Sequence, residues 1–114
     1  MALRTLARKD PFSTDETLTE RTWLGKPVFR KVIDFGALPN AAAKSVAHGI
    51  TGETQFIDAY VVLYSGLHAL RIPYADPTPA NCISMYVDVT NVVIGAGNNR
   101  SASRAYAVLE YIKN

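Results

Sequence analysis

From Thr19 onward the chain is a succession of short runs rich in β-branched and aromatic residues, cut at fairly regular intervals by Gly, Pro and Asn. No run has the length or period of a substantial helix, and such punctuation makes the chain reverse direction repeatedly. Residues 83–89 (ISMYVDV) alternate cleanly, with Ile83, Met85, Val87 and Val89 on one face and Ser84, Tyr86 and Asp88 on the other. A period of two is the mark of a half-buried strand. Residues 104–112 form the last strand, with Tyr106, Val108, Glu110 and Ile112 on one side and Ala105, Ala107, Leu109 and Tyr111 on the other. Residues 55–65 (QFIDAYVVLYS) are almost continuously β-branched or aromatic, which predicts a central strand buried on both faces or lying at a subunit contact.

Between these runs, Gly25-Lys26-Pro27 separates Thr22-Trp23-Leu24 from the strand of residues 28–33 and predicts a hairpin. Val28, Arg30 and Val32 then share one face, and Phe29, Lys31 and Ile33 the other. After the Gly36–Asn40 turn a further strand is expected near residues 45–50, with His48 pointing the same way as Val46 and Ile50 and held by hydrogen bonds. Three prolines in residues 73–81 (PYADPTPAN) exclude a central strand and predict a stiff loop. Residues 95–101 (GAGNNRS) read as a hairpin tip. The sequence therefore predicts an all-β fold: a single antiparallel β-sandwich of seven or eight strands, a jelly roll being one form of it, over residues 20–114, preceded by an extended N-terminal arm over residues 1–19.

The arm differs from the rest of the chain because Asp10-Pro11 and Ser13-Thr14-Asp15-Glu16 interrupt any sustained period. Leu3, Leu6 and Phe12 are its apolar anchors, and a segment of this kind orders against a partner. Charge is concentrated nearby: residues 1–31 carry seven basic and four acidic side chains, the remainder five and six, within a net charge of only +2. Without interleaved aromatics this describes a solvated or partner-facing segment and not a nucleic-acid groove. At 114 residues, 48% apolar, the chain can bury one core without disulfides or metals. Its apolar stretches fall short of the roughly 20 residues that span a bilayer, so no membrane insertion is expected. The N-terminus does not read as a secretory signal, and the single cysteine, Cys82, cannot form an intrachain disulfide.

No enzyme signature is present. His48 and His68 are the only histidine bases and neither lies in a nucleophile motif; zinc, EF-hand and nucleotide spacings are missing, so no metal and no cofactor are expected. Carboxylates for glycoside hydrolysis would come from Asp34, Asp58, Asp76, Asp88 and Glu110, whose separation a sequence does not define. Contact with a partner is assigned instead to exposed positions: Tyr74 and Asp76 on the proline loop, Tyr86 on the polar face of its strand, and Asn98, Asn99 and Arg100 on the hairpin tip.

Residues 23–50, WLGKPVFRKVIDFGALPNAAAKSVAHGI, combine an aromatic-led "W..GKP.(aromatic)RK" hairpin with "GALPN...K.VAHGI", and the chain closes on "YAVLEYIK". This resembles a small β domain of bacteriophage and prophage tail-associated proteins, tail fibre or minor structural, and the likeness runs from about Phe12 to the C-terminus. The resemblance implies a virion protein assembled in the host cytoplasm, a homotrimer docked on other virion proteins, whose β-sandwich contacts host surface polysaccharide. It transfers no binding residue: the residues themselves assign docking to Leu3, Leu6 and Phe12, and host-surface contact to Tyr74, Asp76, Tyr86, Asn98, Asn99 and Arg100. Tail-associated domains of this kind normally follow a long shaft, whereas here only about 20 residues precede the domain. A capsid or tail decoration protein with no host ligand is the alternative expectation, and a small glycan hydrolase a third.

Overall fold

The computed structural model describes residues 10–65 and 69–114, so Leu3, Leu6 and His68 lie outside the described residues. Among the described residues eight strands follow one another: β1 (Thr17–Trp23), β2 (Lys26–Ala37), β3 (Ala43–Ala47), β4 (Thr54–Tyr64), β5 (Ala69–Ile72), β6 (Ile83–Val87), β7 (Asn91–Ala96) and β8 (Arg104–Lys113), with one 3-10 turn at Pro79–Asn81. They form a five-stranded sheet in the order β1-β2-β8-β4-β5 and a three-stranded sheet in the order β3-β7-β6, antiparallel throughout. The fold is the expected all-β sandwich. Among the eight described strands the chain changes sheet at four of the seven connections, while β1-β2, β4-β5 and β6-β7 stay within one sheet.

Inward-facing residues of both sheets make one core. Ile33 and Phe35 of β2, Val61 and Leu63 of β4, and Ala105, Ala107, Leu109 and Tyr111 of β8 meet Ile83, Val92 and Ile94 of the smaller sheet. At one end a row of aromatics crosses three strands: Tyr111 lies between Phe29 (ring centroids 6.0 Å apart) and Phe56 (5.8 Å). The Tyr111 hydroxyl donates to Glu16 at 2.5 Å and Lys113 donates to the same carboxylate at 3.0 Å, tying the chain before β1 to the central strand. Ser13 extends that attachment by accepting the Val32 N–H at 3.0 Å.

Several elements differ in detail from expectation. The long apolar run of β4 is buried on its inner face only, since Val62 and Tyr64 are exposed on the outer one. The strand buried on both faces is β8, because the strand order puts it at the centre of the sheet. The hairpin turn is Leu24-Gly25, with positive φ at both residues (51° and 83°), so Lys26 and Pro27 belong to β2 and face Trp23 and Thr22. Two residues in the left-handed region match the twist of the flanking strands, which a Gly25-Lys26-Pro27 turn would not. β1 starts at Thr17, within the segment read as arm. β3 ends at Ala47, where His48 and Gly49 (φ +69°) turn the chain away, and Val89 lies beyond β6 and is exposed.

Candidate functional site

Five of the six expected contact residues come together where the 73–82 loop meets the 97–103 loop. An isolated bridge pairs Tyr74 with Ile83 through hydrogen bonds in both directions, and another pairs Asn40 with Asn99. The Tyr74 hydroxyl donates to Asp76 at 2.8 Å, and the other Asp76 oxygen accepts the Thr78 N–H at 2.9 Å. The Thr78 backbone bond and then the Tyr74 bond hold the Asp76 carboxyl below its ordinary value, while the same contact raises the Tyr74 phenol. Arg100 donates to the Asn81 carbonyl at 2.9 Å, Asn98 donates to the Asn81 side chain, and Asn99 accepts from the Ser101 N–H and hydroxyl. Cys82 is part of the same joint, its sulfur 3.4 Å from the Asp76 N–H.

These groups chiefly join one loop to the other. Each side chain has a partner within the chain, although the Arg100 Nε is buried without one. The sixth residue, Tyr86, is elsewhere: it is 60% exposed on the outer face of the three-stranded sheet. Of the arm anchors only Phe12 is described, and it lies against Arg30, whose guanidinium carbon is 4.6 Å from the ring centroid.

His48 is buried at the opposite end of the sandwich. Its Nδ1 accepts the Ile50 N–H at 3.1 Å, and its Nε2 lies 2.9 Å from the Asp88 carbonyl oxygen, which can only accept. The ring is therefore the Nε2-protonated tautomer, with both nitrogens committed to backbone. It also packs against Phe56 with centroids 5.5 Å apart, in the structural role expected of it. Asp88 accepts the Asn91 and Thr90 N–H groups, which lower its carboxyl pKa.

A third grouping crosses the outer face of the five-stranded sheet. Arg30 of β2, Glu110 of β8 and Asp58 of β4 face one another in register. Arg30 donates to one Glu110 oxygen through Nε (2.8 Å) and Nη2 (2.6 Å), and Arg21 reaches over from β1 to the other oxygen. Glu110 is only 6% exposed, and two guanidinium groups satisfy it. Beside this row Trp23 and Val28 line a crevice that also contains Arg21, Asp58 and Glu110.

The sequence-based list of contact residues omitted Arg21, Trp23, Asp58 and Glu110. A partial signal existed: Glu110 shares a strand face with Val108 and Ile112, as Arg30 does with Val28 and Val32, and a charge on an apolar face requires a compensating partner. The pairing of β2 with β8 supplies it. Among the described residues no cluster of His, Cys, Asp or Glu is arranged to hold a metal ion. Scans of family models, curated proteins and solved structures give no match to this chain.

Proposed function

We propose that the protein is a bacteriophage virion structural protein, a small fibre- or tail-associated appendage whose β-sandwich contributes to attachment to host surface glycan. The likeness of residues 23–50 and of the closing strand to phage tail-associated domains motivates the virion context. The observation that carries the binding role is the set of aromatic side chains left exposed on outward faces: Trp23, Tyr64, Tyr86 and Tyr106. Such rings combine a flat apolar surface with a polar tip, the chemistry used to engage sugars and protein partners. A homotrimer docked through the N-terminal segment would multiply weak contacts by multivalency.

Particles lacking the protein test this reading. Reduced adsorption to host cells with unchanged heat resistance is the expected result. Normal adsorption with lower heat resistance would replace it with capsid or tail decoration without a host ligand. Removal of residues 1–9, which leaves β1 intact, tests docking separately: the shortened protein should fail to join particles.

A further inference from the structure

Most polar groups of the loop joint and of the His48 end are committed to intrachain hydrogen bonds, but the crevice between β1 and β4 retains unused valences. It has a volume of about 230 Å³ and is lined by Arg21, Thr22, Trp23, Val28, Ile57, Asp58 and Glu110. A β-bulge between Phe56 and Asp58 sends Phe56 into the core and leaves Asp58 opposite Glu110 on the outer face. Two carboxylates opposite one another repel. The arrangement is tolerated because Arg21 and Arg30 both bind Glu110, leaving Asp58 exposed, with no hydrogen bond or ion pair among the described residues. Arg21 commits one terminal nitrogen to Glu110 and its side chain is 60% exposed, so its remaining N–H groups are available to a ligand.

We propose that this crevice binds one ring of a neutral saccharide, an assignment that rests on the host-glycan reading and gives it a location. Trp23, 43% exposed, provides a flat surface for the C–H face of a sugar, with Val28 as the apolar floor. The Asp58 carboxylate accepts hydrogen bonds from ring hydroxyls and the free Arg21 N–H groups donate to hydroxyl oxygens. Charge selects the class: two guanidinium groups and two carboxylates cancel. An anionic ring would meet the unpaired Asp58 carboxylate while both guanidinium groups are held by Glu110, whereas a cationic one would lie against the exposed Arg21 guanidinium. A neutral polyol, which both donates and accepts, matches all the available groups.

Trp23 is the only tryptophan in the chain, so its emission reports directly on the crevice. The purified full chain is titrated with neutral oligosaccharides of glucose, galactose and mannose, and with sialylated and sulfated oligosaccharides. A saturable emission change is expected with at least one neutral series, weakened about tenfold or more by Asp58→Ala, the effect of losing hydrogen bonds to a charged acceptor. Val89→Ala, 90% exposed and outside the crevice, should leave the affinity unchanged. No saturable change with any neutral series, a preference for the anionic sugars, or an unaltered affinity in Asp58→Ala would overturn the assignment. Adsorption separates it from the broader function. If particles lacking the protein adsorb poorly but particles carrying Asp58→Ala adsorb normally, the crevice assignment fails and the appendage reading stands. If the purified chain binds a neutral sugar through Asp58 but depleted particles adsorb normally, the crevice stands and host attachment fails.

Discussion

Replacing Gly97 by alanine should destabilise the protein through a single close approach between two loops. A Cβ at Gly97 would lie 2.4 Å from the Ala80 carbonyl oxygen, 3.0 Å from its carbonyl carbon and 3.1 Å from its Cα. These are backbone atoms of the Pro79–Asn81 turn, so no side chain can rotate away, and the loops must separate by about 1 Å to restore ordinary contact. Overpacking of this kind costs about 1–3 kcal/mol. The same displacement pulls on the hydrogen bonds that Arg100 and Asn98 make to Asn81, each worth about 1 kcal/mol net. A combined loss of about 2–4 kcal/mol corresponds to a fall in Tm of about 10–25 °C for a domain of this size. Gly25→Ala is the matched control: a Cβ there meets nothing within 4 Å, but φ is +83°. Its cost is backbone strain alone, about 1–2 kcal/mol. Calorimetry or thermal circular dichroism compares the two. If Gly97→Ala melts within about 3 °C of the unmodified chain, or above Gly25→Ala, the contact does not hold the loops together and the reasoning is wrong.

Glu110→Ala should cost about 3–5 kcal/mol, because it strands the largely buried Arg30 guanidinium, whereas Arg21→Ala should cost about 1 kcal/mol or less because Arg21 is exposed. Urea midpoints of the two variants should therefore differ clearly, and equal midpoints would refute the assignment of Glu110 as the centre of the pair. Partial burial of Glu16 opposes its charge, but hydrogen bonds donated by Tyr111 and Lys113 outweigh it and hold the carboxyl below its ordinary value of 4.5. A lowered folded-state pKa stabilises the fold above the unfolded value, and that contribution is lost as pH falls through the folded one. Stability should decline on acidification below about pH 4.5, and more shallowly in Glu16→Gln, with Asp76 and Asp88 supplying the remaining slope. Urea midpoints of both proteins measured across the acid range check this; parallel profiles would show that Glu16 does not carry the effect.

Local alternation made much of the fold legible. Ile83, Met85 and Val87 face the core as their spacing requires, and the two faces of β8 are divided as expected. The proline loop and the Gly-Asn tip were recognisable as loops because proline lacks an N–H and glycine tolerates turns. The burial of β4 was not legible in the same way: continuous apolar residues are compatible with a central strand and equally with one whose outer face is open. Strand order settled the matter by placing β8 at the centre. The loop candidates lie on turns, with Asn98 and Asn99 exposed, but Tyr74, Asp76 and Arg100 are half-buried, and composition does not reveal that these three are used up in joining one loop to another.

The class of structure and the positions of its turns are written in the residue order itself, since both follow from short-range physics: a period of two, β-branched side chains, and the backbone constraints of Gly and Pro. Which distant residues share a surface is settled only when the strands pair. Arg21, Arg30, Asp58 and Glu110 are separated by up to 89 positions, yet strand pairing places them across four adjacent strands beside Trp23. Register sets such neighbours, and register depends on how all eight strands bury their apolar faces together, which no local window of the chain contains.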